Sequence, residues 1–183
     1  MIRWWWPLSL FALLCAVNAV AADTWGSPVA GVELRISLID TPHPEIRVTV
    51  QNVSETPILL PLGALIGARF HDLVFQVVLT TTDGRDHRVI YLGGPAGVTG
   101  RVDPLVVPLV PKASYSVALP IDKLYVLDGS NKLENFLRQP CQLRVELEIQ
   151  KPQCPLYSFP NPNPNMIPCW KGKVVSNVVH VPN

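Results

Sequence analysis

Apolar and polar residues alternate with a period of two through most of the chain, which predicts strands with one buried face. The alternation is cleanest over Val32 to Leu38, Ile46 to Gln51 and Leu143 to Ile149. Proline interrupts two other apolar segments, Pro57 to Leu62 and Pro104 to Val110, so both are predicted edge strands. The full set of predicted strands covers residues 32–38, 46–51, 57–62, 70–80, 87–92, 104–110, 114–119, 142–150 and 172–181.

One short helix is expected near residues 131–138. Asn131 can cap its N-terminus, and Glu134, three residues further on, completes a capping box. Leu133 begins its apolar face, and Pro140 ends it. Many short strands and a single short helix predict an all-β fold, an antiparallel β-sandwich of about 7–9 strands.

The N-terminus has the features of a secretory signal peptide over residues 1–22. Arg3 supplies a positive charge, Trp4 to Val17 is an apolar run, and Val20 to Ala22 provides small residues for cleavage before Asp23. A retained membrane anchor is the alternative, because the uncharged run approaches the ~20 residues that span a bilayer. Residues 23–183 are expected to form a single domain, secreted or periplasmic, with no stable membrane insertion after cleavage.

The balance of charge argues against two classes of partner. The chain has 15 Lys and Arg against 14 Asp and Glu, and signal cleavage removes one Arg and no acid. A near-neutral chain without runs of like charge lacks the basic patches that bind nucleic acid or anionic membrane surfaces. No nucleic-acid partner is therefore expected.

Three cysteines remain after cleavage: Cys141, Cys154 and Cys169. If residues 142–150 and 172–181 pair as a hairpin, Cys154 and Cys169 lie together at the base of the connecting loop. Cys141 then lies on the order of 30 Å away along the strand, well beyond the ~7 Å between Cα atoms that a disulfide allows. The sequence therefore predicts a Cys154–Cys169 disulfide, with Cys141 free or buried.

The loop closed by this disulfide is the candidate contact loop. Its prolines deny it regular backbone hydrogen bonding, and apolar and aromatic side chains cluster in and beside it: Leu156, Tyr157, Phe159, Met166, Ile167 and Trp170. The simpler interpretation is that these side chains pack against the end of the sandwich. The functional interpretation is a contact surface, because aromatic anchors favour interfaces and a rigid loop loses little entropy on binding.

Catalytic motifs are missing from the sequence, including Gly-x-Ser-x-Gly, His-Glu-x-x-His and Cys-x-x-Cys. The glycine-rich segment from Gly93 to Gly100 lacks the Lys and Ser/Thr of a phosphate loop and is interpreted as a connection. Neither the four histidines nor the pair Asp83 and Asp86 have a spacing that gathers metal ligands. We expect no catalytic residue, cofactor or metal. The tripeptide Asn52-Val53-Ser54 matches a glycosylation acceptor.

Several segments together carry a resemblance to a known group of proteins. They are Gly31 to Leu34, Val48 to Ser54, Leu109 to Tyr115, Leu119 to Leu127, Leu143 to Ile149, Trp170-Lys171-Gly172 and Ser176-Asn177. With them the chain resembles small secreted bacterial immunoglobulin-like β-sandwich domains, a type also found beside deuterolysin-like peptidases. The resemblance implies an immunoglobulin-like sandwich and supplies no catalytic residue. Pro111-Lys112 stands where the pattern usually has Pro-Gly.

The expected function is that of a non-enzymatic interaction or structural domain whose unknown partner is a protein or a glycan. One alternative is a protease inhibitor, because a proline-rich, disulfide-held loop over residues 154–169 can occupy a protease cleft without being cut. The other alternative is a carbohydrate-binding module that uses Tyr157, Phe159 and Trp170. An enzyme is not favoured.

Overall fold

The computed structural model describes residues 24–66, 69–71, 73–92, 102–127, 131–150 and 167–182. These residues form an all-β sandwich of antiparallel strands with one short α-helix. The fold class expected from the period-two alternation is therefore confirmed. Residues 1–22 lie outside the described ranges, so the signal peptide stays a prediction.

The strands, in chain order, are β1 (Val32–Ile39), β2 (Glu45–Asn52), β3 (Ile58–Ile66), β4 (Arg69–His71), β5 (Phe75–Thr80), β6 (Asp86–Tyr91), β7 (Val102–Leu109), β8 (Ser114–Pro120), β9 (Leu124–Val126), β10 (Asn131–Lys132), β11 (Cys141–Ile149), β12 (Gly172–Val175) and β13 (Val179–Val181). A 3₁₀ helix (Ile121–Lys123) follows β8, and the α-helix α1 (Leu133–Phe136) follows β10. The structure has more strands than expected, because two expected strands are each divided and because the very short strands β9 and β10 were not predicted.

The first sheet contains three antiparallel strands in the order β1-β2-β8. Val32 lies opposite Asn52, and Val48 lies opposite both Ile36 and Val117. Every second residue of β1 from Val32 to Ile36 is buried, as the sequence alternation predicted. This sheet therefore presents one face to the core and one to solvent.

The second sheet contains seven strands in the order β10-β9-β6-β5-β11-β12, and β13 also pairs with β11. A tight turn joins β5 and β6, in which Gly84 adopts a φ of +77° and its N–H donates to the carbonyl of Thr81. The hairpin expected between residues 142–150 and 172–181 is confirmed, with Ile149 opposite Gly172. Central β11 is thus paired along both of its edges.

The third sheet has the order β4-β3-β7, so β3 is its central strand. The β4 ladder covers only residues 64–66, so residues 58–62 have a ladder with β7 alone, which agrees with the edge position predicted for 57–62; on their other side Leu59 bonds Pro168 and Trp170. The β3–β7 register shifts between Pro61 and Gly63, and an irregularity of this kind accommodates a proline that has no N–H to donate. The edge position expected for β7 is confirmed, and Pro104 and Pro108 lie within that strand.

Two expected strands are each divided in the structure. The segment 70–80 breaks between β4 and β5, which belong to different sheets. The segment 172–181 breaks at residues 176–178, and both of its parts pair with β11. Glu146 lies opposite Val175 but Leu143 lies opposite Val179, so the broken strand holds one residue more than its partner. This is a β-bulge, which bends a strand and leaves the extra residue unpaired.

The expected helix is present but shorter, and the expected capping box is wrong. Asn131 belongs to β10 and lies opposite Val126, so its backbone serves a strand ladder. Lys132 holds the N-cap position, and no side chain caps the helix. Leu133 is fully buried, so packing rather than capping fixes this short helix.

Inward side chains from all three sheets form one core cluster. Its largest fully buried members include Leu34, Leu60, Leu79, Leu143 and Leu147. Burial of a leucine side chain contributes about 1.5–3 kcal/mol, and the surrounding core makes truncation to alanine cost about 2–5 kcal/mol. The core therefore holds the strand edges in fixed positions.

Asn52 and the Pro111-Lys112 turn fix the connections near β8. Asn52 has 0% of its surface exposed, and its Nδ2 donates to the carbonyls of Thr56 and Leu109, each at 2.9 Å. The side chain is therefore a structural element that the folded protein cannot offer for glycosylation. Lys112 has a φ of +65°, in the left-handed region where glycine is favoured, and its N–H donates to the carbonyl of Asn52.

Candidate functional site

Most of the candidate contact loop lies outside the described residues. This applies to Leu156, Tyr157, Phe159 and Met166, so the loop's role stays a prediction. The protease-inhibitor and carbohydrate-binding hypotheses both depend on that loop. Ile167, at its described end, has 37% of its surface exposed.

Trp170 is held in the core by a short connection to β3. Leu59 N–H donates to the carbonyl of Pro168, and Trp170 N–H donates to the carbonyl of Leu59, each at 2.8 Å. The tryptophan has only 4% of its surface exposed, and its Nε1 has no hydrogen-bond partner among the residues described. Trp170 thus belongs to the core rather than to an exposed contact surface.

The cysteines differ in state. Cys169 is disulfide-bonded, whereas Cys141 is a buried free thiol, as the distance argument anticipated for Cys141. Cys154 lies outside the described residues, so the Cys154–Cys169 pairing stays a prediction. Burial raises the pKa of the Cys141 thiol, which disfavours the reactive thiolate.

A cleft of about 810 Å³ opens between the outer edge of β1 and the C-terminal part of the chain. Apolar side chains, threonine and serine hydroxyls and one asparagine amide line it: Thr24, Arg35, Ile36, Ser37, Leu38, Thr80, Thr81, Thr82, Pro140, Cys141, Gln142, Asn177, Val178, Val179, His180, Val181 and Pro182. The volume lies in the range of ~300–1,000 Å³ that is typical of ligand pockets. A mixed lining of this kind can accept a partner with both apolar and hydrogen-bonding groups.

Asn177 binds the backbone of β1 from the bulge between β12 and β13. Ile36 N–H donates to Asn177 Oδ1 at 2.8 Å, and Asn177 Nδ2 donates to the Ile36 carbonyl at 3.1 Å. Ser176 holds the bulge in place, because its Oγ accepts from Val145 N–H and its own N–H donates to the Val145 carbonyl, each at 2.9 Å. The asparagine amide thus does what one peptide group of an added strand would do.

Leu38 continues the β1 edge beyond Asn177. In an antiparallel ladder, alternate residues direct both backbone groups to the same side, so Leu38, like Ile36, points its N–H and carbonyl away from β2. The hydrogen bonds between Val145 and Ser176 show that every second residue of β11, counted from Val145, directs its backbone groups towards β13. The backbone groups of Val179 and Val181 therefore bond β11, and those of His180 face away from it. No described residue bonds the outward backbone groups of Leu38 or His180. The cleft therefore has an open strand edge on each side.

A polar network lies at the rim of the cleft, beside Thr80. Arg144 Nη2 donates to Asp86 Oδ2 at 2.7 Å, and Arg144 Nη1 donates to Thr80 Oγ1 at 3.1 Å. Thr80 Oγ1 donates in turn to Asp86 Oδ1 at 2.6 Å. Arg144 and then Thr80 lower the pKa of Asp86 to about 2. The network fixes β5, β6 and β11 relative to one another at this rim.

Trp25, which precedes β1, packs against Arg35 of that strand. The Arg35 guanidinium lies 4.7 Å from the centroid of the Trp25 ring, a cation–π contact of the kind that contributes ~0.5–1 kcal/mol at exposed sites. Gly26 N–H donates to the Leu34 carbonyl at 2.9 Å, so the segment before β1 lies along its edge.

Sequence reasoning did not identify the cleft. The only signal for it was the polar pair Ser176-Asn177, which interrupts the valine-rich final strand. Such an interruption inside a strand is typical of a bulge, but its partner Ile36 is 141 residues distant in the sequence. Pairing over that separation depends on the packing of two sheets and cannot be read from local alternation.

Asp83 and Asp86 have other roles than metal binding. Asp83 accepts a hydrogen bond from Thr81 in the turn between β5 and β6, and Asp86 forms an ion pair with Arg144. The pKa of Asp83 is lowered mainly by hydrogen bonds from the Thr81 hydroxyl and the Arg85 backbone. Within the ranges described, no group of three or more His, Cys, Asp or Glu side chains is placed to hold a metal ion. In the same ranges, no helix is long and apolar enough to cross a membrane.

Comparisons with protein-family models, with curated proteins and with solved structures found no match for this chain.

Proposed function

We propose that this protein is a secreted or periplasmic, non-enzymatic interaction domain that binds an extended polypeptide segment of a partner in the cleft. The immunoglobulin-like arrangement implied by the resemblance belongs to the same proposal. The single observation that carries the function is the pairing of the Asn177 amide with both backbone groups of Ile36. The side-chain amide of Asn177 bonds the β1 edge as one peptide group of a paired strand would, and the next outward position on that edge, Leu38, is open.

An extended peptide satisfies these open groups directly. Its backbone can pair with Leu38 on one side and with His180 on the other, the mode of recognition known as β-augmentation. Its side chains then alternate between the apolar valines of β13 and the hydroxyls of residues 80–82. Backbone pairing provides affinity, and these walls provide the sequence preference.

The proposal is tested by selecting ligands from a library of random peptides displayed on phage. Val178 and Val53 form a matched pair of sites, because both are exposed valines, at 44% and 39%, and only Val178 lines the cleft. Peptides selected on the unmodified protein should lose about tenfold or more in affinity for Val178→Arg and keep it for Val53→Arg, because an arginine in the cleft occupies the peptide's volume. Equal binding to the two variants would refute the cleft.

Amide hydrogen exchange measured by NMR tests the mode of binding. Addition of a selected peptide should slow exchange at Leu38 and His180, because both amides gain a partner. The amide of Ile36 already donates to Asn177 and serves as the internal control, with a small change expected. A peptide that binds without protecting Leu38 and His180 would show that side chains, not strand pairing, hold it.

Secretion is tested separately. The precursor expressed in a bacterium with two membranes should appear outside the cytoplasm, with an N-terminus at Asp23. A product that stays in the cytoplasm with Met1 intact would contradict the signal-peptide prediction and leave the cleft proposal standing.

A further inference from the structure

In the described part of the chain, every sheet edge other than that of β8 is blunted or largely bonded. The β1 edge is bonded by Val29, Gly26 and Asn177 as far as Ile36 and is open only beyond that residue. The bulge at residues 176–178 interrupts the β12–β13 edge, β4 and β10 are only three and two residues long, and β7 contains two prolines. The remaining edge belongs to β8, whose sequence Ser-Tyr-Ser-Val-Ala-Leu-Pro has seven residues, no charge and one proline at its very end. Proteins usually protect such edges with charges, prolines, bulges or short length.

The outward backbone groups of β8 can be assigned from its ladder. Asn52 N–H donates to the Ala113 carbonyl, and Val48 lies opposite Val117 in the β2–β8 ladder. Ala113, Val117 and the alternate residues between them therefore direct their backbone groups towards β2. Alternation then directs the N–H and carbonyl of Ser114, Ser116 and Ala118 away from β2. No described residue bonds these groups, and the three side chains are exposed.

We propose that β8 is a self-association edge, at which two copies of this chain pair antiparallel about a two-fold axis at Val117. A symmetric pair centred on that residue places Ser116 of one copy opposite Ala118 of the other, and Ser114 opposite Pro120. All four side chains are small or compact and uncharged, so no like charges meet. Ser116 and Ala118 each exchange both backbone hydrogen bonds with the other copy.

Charge complementarity at the ends of the strand favours a second copy over other occupants. The same register brings Lys112, exposed in the turn before β8, opposite Asp122, exposed in the 3₁₀ helix after it. The two-fold axis repeats this opposition at the other end. Asp122 also lies 3.5 Å from Lys123 of its own copy, so the partner's Lys112 joins an existing surface pair. This proposal is independent of the cleft, which lies at the opposite edge of the β1-β2-β8 sheet.

Two double variants test the register with the same number of new side chains. Ser116→Lys with Ala118→Lys places lysine opposite lysine twice, whereas Ser116→Glu with Ala118→Lys places glutamate opposite lysine twice. Like charges directly opposite destabilise a strand pair and opposite charges stabilise it. Both variants lose the 2.8 Å hydrogen bond between the Ser116 and Thr49 hydroxyls, so this loss cancels in their comparison.

Sedimentation equilibrium of the purified protein, at several concentrations, is the measurement. The unmodified protein and the Glu/Lys variant should dimerise, and the Lys/Lys variant should dimerise about tenfold or more weakly. Thermal unfolding of each variant confirms folding. If a double variant does not fold, Ser116→Pro replaces it, because that proline removes an outward N–H without touching the β2 ladder and should also weaken dimerisation. A monomeric unmodified protein, or equal dimerisation of the Lys/Lys and Glu/Lys variants, would overturn the proposal.

Discussion

The two edges of the β1-β2-β8 sheet differ in whether other parts of the chain bond their outward backbone groups. Along β1, the Val29 and Gly26 backbones and the Asn177 amide bond successive outward positions of the strand. Along β8, no described residue bonds the outward positions. The β1 edge is closed as far as Ile36 by the segment before β1 and by Asn177, and the β8 edge is left to solvent or to another molecule.

This difference separates stability from self-association. The groups that close β1 lie beside the core, where an unpaired backbone group is costly, so the chain supplies their partners itself. The groups of β8 can be satisfied by water and contribute little to folding until a partner arrives. Substitutions at the closed part of the β1 edge, from Val32 to Ile36, should therefore change the free energy of unfolding, and substitutions at the β8 edge should change self-association.

The largest effect is expected for Asn177→Leu, at the closed edge. The leucine leaves the Ile36 N–H and carbonyl without partners, each at a cost of about 1–3 kcal/mol if water does not reach them. We expect the free energy of unfolding to fall by about 2–4 kcal/mol in urea titrations. Gln142→Leu is the control, because this exposed residue also lines the cleft and makes no hydrogen bond through its side chain to any described residue. Losses of equal size in the two variants would show that Asn177 does not close this edge.

Gly26→Ala should have the next largest effect. A Cβ at this position would lie 1.9 Å from the carbonyl oxygen of Val175, so one of the two backbones must move. Overpacking of this kind costs about 1–3 kcal/mol, and detachment of the segment before β1 limits the loss. Thermal unfolding of Gly26→Ala against Ser27→Ala measures it. A melting temperature unchanged by Gly26→Ala would show that the segment does not seal the edge.

Lys112→Gly should act on the two properties in opposite directions. The lysine has a φ of +65°, where a side chain costs about 1–2 kcal/mol, and glycine's greater unfolded-state entropy offsets part of the gain. We expect the free energy of unfolding to rise by about 0.5–1 kcal/mol while dimerisation weakens, because the charge opposite Asp122 is lost. Lys112→Asn keeps tolerance of the left-handed conformation and removes the same charge, so it should weaken dimerisation with a smaller gain in stability. Unaltered dimerisation in both variants would count against the Lys112–Asp122 contact.

The sequence predicted the strands well where one face is buried, and it failed where distant segments decide the pairing. Alternation located β1, β2, β8 and β11 because burial of one face requires that period. It could not divide residues 70–80 between two sheets, because both halves have the same local pattern and only the sheet arrangement separates them. The cleft was missed for the same reason, since Asn177 and Ile36 meet through tertiary packing.

The smallest effect concerns the network that fixes the cleft rim from the other sheet. Asp86 has a pKa of about 2, lowered mainly by Arg144, against an ordinary value of 3.8. Because the folded-state pKa lies below the unfolded one, its contribution to stability is present above about pH 4 and is lost as the pH falls from about 4 to 2. The carboxylate is half exposed, so the contribution should stay below ~1 kcal/mol.

Urea unfolding of the unmodified protein and of Asp86→Asn between pH 2 and pH 7 measures this contribution, since the two proteins differ only in this carboxylate. The stability difference should be present at neutral pH and vanish towards pH 2. Asp40→Asn is the control, because exposed Asp40 makes no ion pair with a described residue. If Asp86→Asn also abolishes binding of peptides selected on the cleft, the rim network shapes the cleft as well as stabilising the fold. Intact binding would restrict it to stability and leave the open backbone groups of Leu38 and His180 as the determinants of peptide binding.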